Sequence, residues 1–249
     1  MHQKETDLQV MSILSALGTL VRDLVAQGVA SAEAIVERVK TLYGGDRETR
    51  RRVAFSVAMI ALSAKMAKAD GVVSQSEVDA FQRIFVIPPH EVRNVFRLYD
   101  LAKQDTAGFE AYAAQMAKLC EAQEGEQSLL VDVLDGLFHV AGADGVVHER
   151  ELAFLRRIAD IFALSQAEFA QIEARHVRGR AGRAFAILGA EPDDPPEEVR
   201  RKYLKLVREN HPDRLAARGV PQEFMAIATE RMKAINEAWS TVSKAAPAV

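Results

Sequence analysis

The chain has 249 residues, 49% of them apolar, with 32 Lys and Arg against 35 Asp and Glu, a formal net charge of -3 and one cysteine. That suits one large or two modest domains with real cores. The balanced charge gives no sign of a strongly basic partner-binding chain, and a lone Cys120 excludes an internal disulfide framework and cysteine-based zinc sites.

The periodicity predicts helix almost throughout, hence an all-α fold. Residues 7–27 read as one helix ending at Gly28. Its most apolar stretch, Leu8 to Val21, is broken by Gln9, Ser12, Ser15 and Thr19 and bounded by Asp7 and Arg22. It falls short of the roughly twenty apolar residues that span a bilayer. The expectation is a soluble, cytoplasmic protein with no transmembrane anchor; the alternative is an amphipathic helix lying on a membrane or partner. Ser31 with Glu33 behind it starts a second helix, through Val36 and Leu42 to Gly44-Gly45. Asp46 can cap a third, from about Arg47 to Ala69, with Val53, Val57, Ile60, Ala61 and Ala64 at helical spacing. It is apolar almost all round, so it should be buried.

An internal repeat follows. Ala69-Asp70-Gly71-Val72-Val73 and Ala143-Asp144-Gly145-Val146-Val147 are identical turns, each after an apolar helix and before another helix. Glu77 matches Glu151, and Ile84 matches Ile158. Two similar helix-turn-helix units packed around one core are expected. The glycine supplies a positive φ to the turn, and Ser74 with Glu77 forms a capping box whose serine is replaced by His148 in the second copy. Asp-Gly followed by Glu also echoes half of a calcium loop, but the earlier ligand positions fall on Met66, Lys68, Val140 and Gly142. Asp70, Glu77, Asp144 and Glu151 are the oxygen donors for any divalent metal, with Asp79 and His148 as outliers; turn and cap roles explain the same acids.

Between the copies, Pro88-Pro89 opens a helix through Val92, Val95, Phe96 and Tyr99, and Phe109 to Cys120 forms another. Cys120 follows Tyr112, Met116 and Leu119 on an apolar run, as a small core residue would. Glu126 to Ala141 leads into the second turn, with His139 beside Leu137, Phe138 and Val140 as a core or rim histidine. Ser165 with Glu168 caps a helix ending near His176. Residues 46–178, so patterned, resemble the TerB-like domain, a helical bundle suspected of binding metal through acidic residues near such turns.

Arg175 to Arg183 is basic and glycine-bearing and reads as a solvated tether, with residues 179–183 the linker proper. Ala184 to Leu188 is a short apolar helix stopped by Gly189. A longer helix runs from Pro195-Pro196 to Asn210, with Asp193 or Asp194 as cap and Glu197 and Glu198 at the positive end of its dipole. Val199, Tyr203, Leu206 and Val207 make one apolar face, and Arg201, Lys205 and Arg208 a separate basic one. Pro212 disfavours helix at His211, so His211 to Arg214 should open an exposed loop. A last helix spans Pro221 to about Ser243, with Phe224, Ile227, Ala228, Met232, Ile235, Ala238, Trp239 and Val242 at helical spacing; it should pair antiparallel with the basic helix.

Arg183 to Lys244, with its short first helix, Tyr203 on a basic second helix, His211-Pro212-Asp213 and Ile235-Asn236-Glu237-Ala238, resembles a J domain of DnaJ-type co-chaperones. The insert from Leu215 to Pro221 is similar to that of the membrane-anchored DjlA subgroup. The resemblance implies binding to a DnaK-type chaperone in its ATP state and stimulation of its ATP hydrolysis. Arg200, Arg201, Lys202, Tyr203, Lys205 and Arg208 would face an acidic surface, and His211, Pro212, Asp213 and Arg214 the nucleotide domain and linker. Leu204 departs from the family, which usually has a basic residue there, so docking should be tuned differently.

Residues 1–45 would then be N-terminal helices, 46–178 the TerB-like domain and 184–249 the J domain. No phosphate loop, His-Glu-x-x-His or Gly-x-Ser-x-Gly is present, so an enzyme is not expected. The reading is a co-chaperone whose TerB-like domain senses a signal or binds an unfolded or specific client, and whose J domain recruits a DnaK-type ATPase; no cofactor is required. The alternative is a metal-binding, tellurite-resistance-like stress protein. A DNA-binding helix-turn-helix using Arg200 to Arg208 fits the near-neutral charge and the His-Pro-Asp sequence poorly, so no nucleic-acid partner is expected.

Overall fold

Among the described residues two apolar centres, which exchange residues with each other, organise the helices. The structure is a computed structural model and describes residues 56–66, 93, 96–97, 99–100, 108–121, 127–177, 182–217 and 225–245. Among them all regular structure is helical, as the periodicity predicts. The expected N-terminal helices, the first repeat turn with Asp70, Ser74, Glu77 and Asp79, Ile84, the Pro88-Pro89 opening, Phe224 and the side chain of Cys120 lie outside the described residues.

The central bundle contains α1 (residues 56–66), α2 (Phe109–Glu121), α3 (Gln127–Ala141), α4 (Glu149–Ile161) and α5 (Gln166–His176). α1 is buried on every side, which its all-round apolar sequence requires. Its Lys65 is accommodated with its ammonium 4.9 Å from the centre of the Tyr112 ring, a cation–π contact. On α3, Leu129, Leu130, Val133, Leu134, Leu137 and Phe138 are buried, each such side chain contributing about 1.5–3 kcal/mol of transfer free energy. Phe138 meets Phe169 of α5 at 5.6 Å between ring centres, and Phe109 of α2 meets Phe154 of α4 at 4.2 Å.

The second repeat turn is a single 3-10 turn, Gly142–Asp144, closed by Gly145 at φ 97°. That is the left-handed conformation the Asp-Gly signal anticipates. α5 starts with the expected capping box: Glu168 N–H donates to Ser165 Oγ at 3.2 Å, and Ser165 N–H to Glu168 Oε2 at 2.8 Å.

Among the described residues four helices follow: α6 (Arg183–Leu188), α7 (Pro196–Glu209), α8 (Pro212–Ala217) and α9 (Met225–Ala245). α6 ends at Gly189, φ 63°, and packs against α5 and α9. Ile187, Leu188, Val199, Ile235, Ala238 and Val242 form the second core, to which α5 adds Ala174. In return Leu215 of α8 and Ile227 and Ala228 of α9 enter the central core. Gly136 of α3 lets α9 come close, because a Cβ there would lie 3.0 Å from Ile227 Cδ1 and 2.7 Å from Met59 Cε.

Three expectations are corrected. Neither Asp193 nor Asp194 caps α7: Pro195 is the N-cap, Pro196 fills the first turn, and Asp194 instead accepts from Glu191 N–H and Lys202. Arg175, His176 and Arg183 are not a solvated tether. Arg183 donates to the carbonyls of Ala174 and Arg175 at 2.8 and 2.9 Å, closing the end of α5, where the last carbonyls of a helix have no intrahelical partner. Residues 212–214 are not a loop but the start of α8, because proline fits a first helical turn as readily as it ends the preceding helix. Among the described residues no helix is long and apolar enough to cross a membrane.

Candidate functional site

α7 ends with its capping residue turned inward. Asn210 is buried, and both its backbone N–H and its Nδ2 donate to Leu206 O. Asn210 and His211 lie outside helix, between α7 and α8. His211 O accepts from Arg214 and Leu215 N–H at 2.9 and 3.1 Å, which starts α8. Leu215 returns to the interior, so His211, Pro212, Asp213 and Arg214 stand outside as an exposed corner. The Asp213 side chain is 91% exposed, and its carboxylate lies 3.6 Å from His211 Nδ1, which also accepts from Asp213 N–H at 3.3 Å. A carboxylate so presented can take a charge-assisted bond from a partner's guanidinium.

The basic residues of α7 divide by what they meet. Arg200 and Arg208 are exposed and have no ion pair among the described residues. Arg201 pairs with Glu198 at 3.0 Å and Lys205 with Glu209 at 3.9 Å, both with their side chains mostly in solvent. Lys202 is half-buried, 2.6 Å from Asp194. That hydrogen bond, helped by Glu191 N–H, holds the Asp194 carboxyl below its ordinary value. Tyr203 is turned into the helix pair: its ring stacks on Trp239 at 4.8 Å and its hydroxyl donates to Asn236 Oδ1 at 3.1 Å. Leu204, 48% exposed, sits between Arg200 and Arg208 along the helix.

Behind the corner lies a buried ionic cluster that the sequence reading missed. Arg231 of α9 donates through Nη1 to Asp132 Oδ1 at 2.7 Å and Asn210 Oδ1 at 2.9 Å, and through Nε to Asp135 Oδ2 at 2.7 Å. The other Asp135 oxygen accepts from Arg175 Nε and Nη2 at 3.0 and 2.9 Å, with His176 Nε2 at 3.1 Å. Burial alone would push the Asp135 carboxyl up, but Arg175, Arg231 and His176 together hold it well below the usual carboxylate range. Burial likewise opposes charge on Arg231, and Asp135 and Asp132 outweigh it, raising its pKa. A signal for this cluster is present in the sequence. Asp132 and Asp135 fall among the apolar residues of α3, and Arg231 lies between Ile227 and Ile235 on the apolar face of α9. Such positions demand partners.

A cleft of about 810 Å³ opens beside the cluster, between α3, the Gly142–Gly145 turn, α5 and α9. His139 lines it, edge-on to His176, a rim histidine. Of the four acids suggested for metal, Asp70 and Glu77 lie outside the described residues. Asp144 contributes backbone to the turn, and Glu151 is buried with Oε2 accepting from His148 N–H at 2.8 Å. Among the described residues no three or more His, Cys, Asp or Glu side chains gather where they could hold an ion.

An all-α protein with a helical bundle followed by a helix pair carrying an exposed His-Pro-Asp corner is the class these features define. Residues 56–174 match the family described as tellurite resistance protein TerB. The chain is also similar to co-chaperone protein DjlA of Photobacterium profundum, 27% identical over 78% of each chain. Co-chaperone protein DjlA of Legionella pneumophila is 23% identical over 81% of this chain and 80% of the relative. That of Escherichia coli K12 is 28% identical over 61% of this chain and 62% of its own length. No solved structure matches. The chain is DjlA-like. These relatives are named co-chaperones.

Proposed function

We propose that this chain is a co-chaperone that binds a DnaK-type chaperone through α7 and the His211-Pro212-Asp213 corner and stimulates its ATP hydrolysis. The observation that carries the reading is the corner itself: four consecutive residues, His211 to Arg214, held outside between an inward-facing Asn210 and a buried Leu215, at the end of a basic helix. α6 to α9 act as the J domain in this reading. Arg200, Arg208 and Arg214 are the cations most available to an acidic partner, and Arg201 and Lys205 can exchange their weak intrahelical pairs for intermolecular ones. Such charges raise the encounter rate and make it salt-dependent. Lys202 and Tyr203 keep α7 in place against Asp194 and Trp239. The TerB-like bundle is the sensing or client-binding part. Steady-state ATP hydrolysis by a DnaK-type chaperone tests the reading. The chain should raise it, and Asp213→Asn should abolish the rise; equal stimulation by both proteins would refute the assignment.

A further inference from the structure

Both ends of the corner are fastened to the central bundle. We infer that Arg231 is a positioning residue for His211-Pro212-Asp213: it clamps Asn210 to the Asp132 and Asp135 pair of α3, so that the central bundle sets how firmly the corner is presented. The output half of this inference rests on the co-chaperone reading; the mechanical half does not.

The clamp is specific in its geometry. Arg231 is 4% exposed, and one guanidinium reaches two carboxylates and the Asn210 amide oxygen at 2.7–2.9 Å. A planar five-donor fork can do this, and a lysine ammonium on the same stem cannot match its directions. Asn210 passes the constraint on, since it is bonded to Leu206 and is followed directly by His211. On the far side of the corner, Leu215 is buried in the central core. The exposed residues are therefore strung between two anchors, Asn210 and Leu215, that are both tied into the neighbouring bundle. Asp135 takes Arg175 and His176 on its other oxygen, so α5 also holds the clamp in place. The cleft beside it is lined by Asp135, Arg175 and Arg231 themselves. A shift of α3 against α9 there would act on Asn210 through Arg231.

The test uses the full chain and two variants. Asn210→Ala cuts the tie and leaves the acid clamp intact; Arg231→Lys keeps the charge and loses the fork. Amide hydrogen exchange at Arg214 and Leu215 reads the corner directly, with α4 as internal control. DnaK-type ATPase stimulation is measured in parallel as a function of concentration. In Asn210→Ala, exchange at Arg214 and Leu215 should rise about tenfold or more with α4 unchanged. Maximal stimulation should fall several-fold, with little change in the half-saturating concentration. Arg231→Lys should do the same or more, and if it fails to fold, Asn210→Ala alone decides. Unchanged exchange in Asn210→Ala overturns the clamp. Faster exchange with full stimulation overturns the positioning role. If the unmodified chain gives no stimulation, the co-chaperone reading falls, while the exchange result still decides whether the corner is held from the bundle.

Discussion

The outer face of α7 and the seam between α3 and α9 both carry ion pairs, and they do different things. On α7 the Arg201 and Lys205 side chains are 76% and 72% exposed. Pairs like these contribute little to stability because water and salt screen them. At the seam Arg231, Asp132 and Asp135 have side chains 3% exposed or less. There the charges cannot be left alone, so they dictate which helix meets which. The outer charges are free to change partners, which suits docking; the inner ones fix an arrangement.

Removing an inner charge should have the largest effect. Arg231→Met takes from the buried Asp132 and Asp135 the cation they share, leaving Asp135 with Arg175 and His176 alone, and should cost about 3–5 kcal/mol in urea unfolding. A loss below about 1 kcal/mol would mean that the acids find other partners and the contrast fails. Acid should act through the same group. The folded Asp135 pKa lies below its unfolded value, so its contribution is fully present above about pH 4 and is lost as pH falls through the folded pKa. Urea midpoints between pH 7 and pH 3 should therefore drop more steeply for the unmodified chain than for Asp135→Asn, and parallel curves would contradict this.

A smaller effect is expected from packing alone. Gly136→Leu should cost about 1–3 kcal/mol by overfilling the approach of Ile227 to α3. Gly136→Ala should be close to neutral, because its Cβ meets only the flexible ends of Met59 and Ile227 and gains helix propensity. Thermal melts of the two variants separate these outcomes. Smallest of all, Arg201→Ala with Lys205→Ala should leave the melting midpoint unchanged. The pair should instead weaken DnaK-type stimulation more at low salt than at high salt, and a stability loss like that of Arg231→Met would erase the distinction between the two faces.

Most helices were legible because their stops are local. Gly189, the Ser165–Glu168 box and the Asp144-Gly145 turn are set by residues within a few positions of one another. α8 is masked in the sequence because Pro212 carries two meanings, ending one helix and beginning the next. The exposed His-Pro-Asp residues were readable because they are contiguous. The clamp was not read, because Arg231 and Asp135 lie 96 residues apart. Read singly, each resembles ordinary helix-surface charge; only their apolar flanks betray burial.

The exchange of residues between the two cores bears on how this protein can be dissected. A fragment beginning at Arg183 would carry Leu215, Ile227 and Ala228 as an uncovered greasy patch and Arg231 without its acids, and it would lose Ala174 from its own interior. Dissection that keeps α3 and α5 attached avoids all three defects. Poor behaviour of the shorter piece would then report a torn seam and not an incompetent J-like unit.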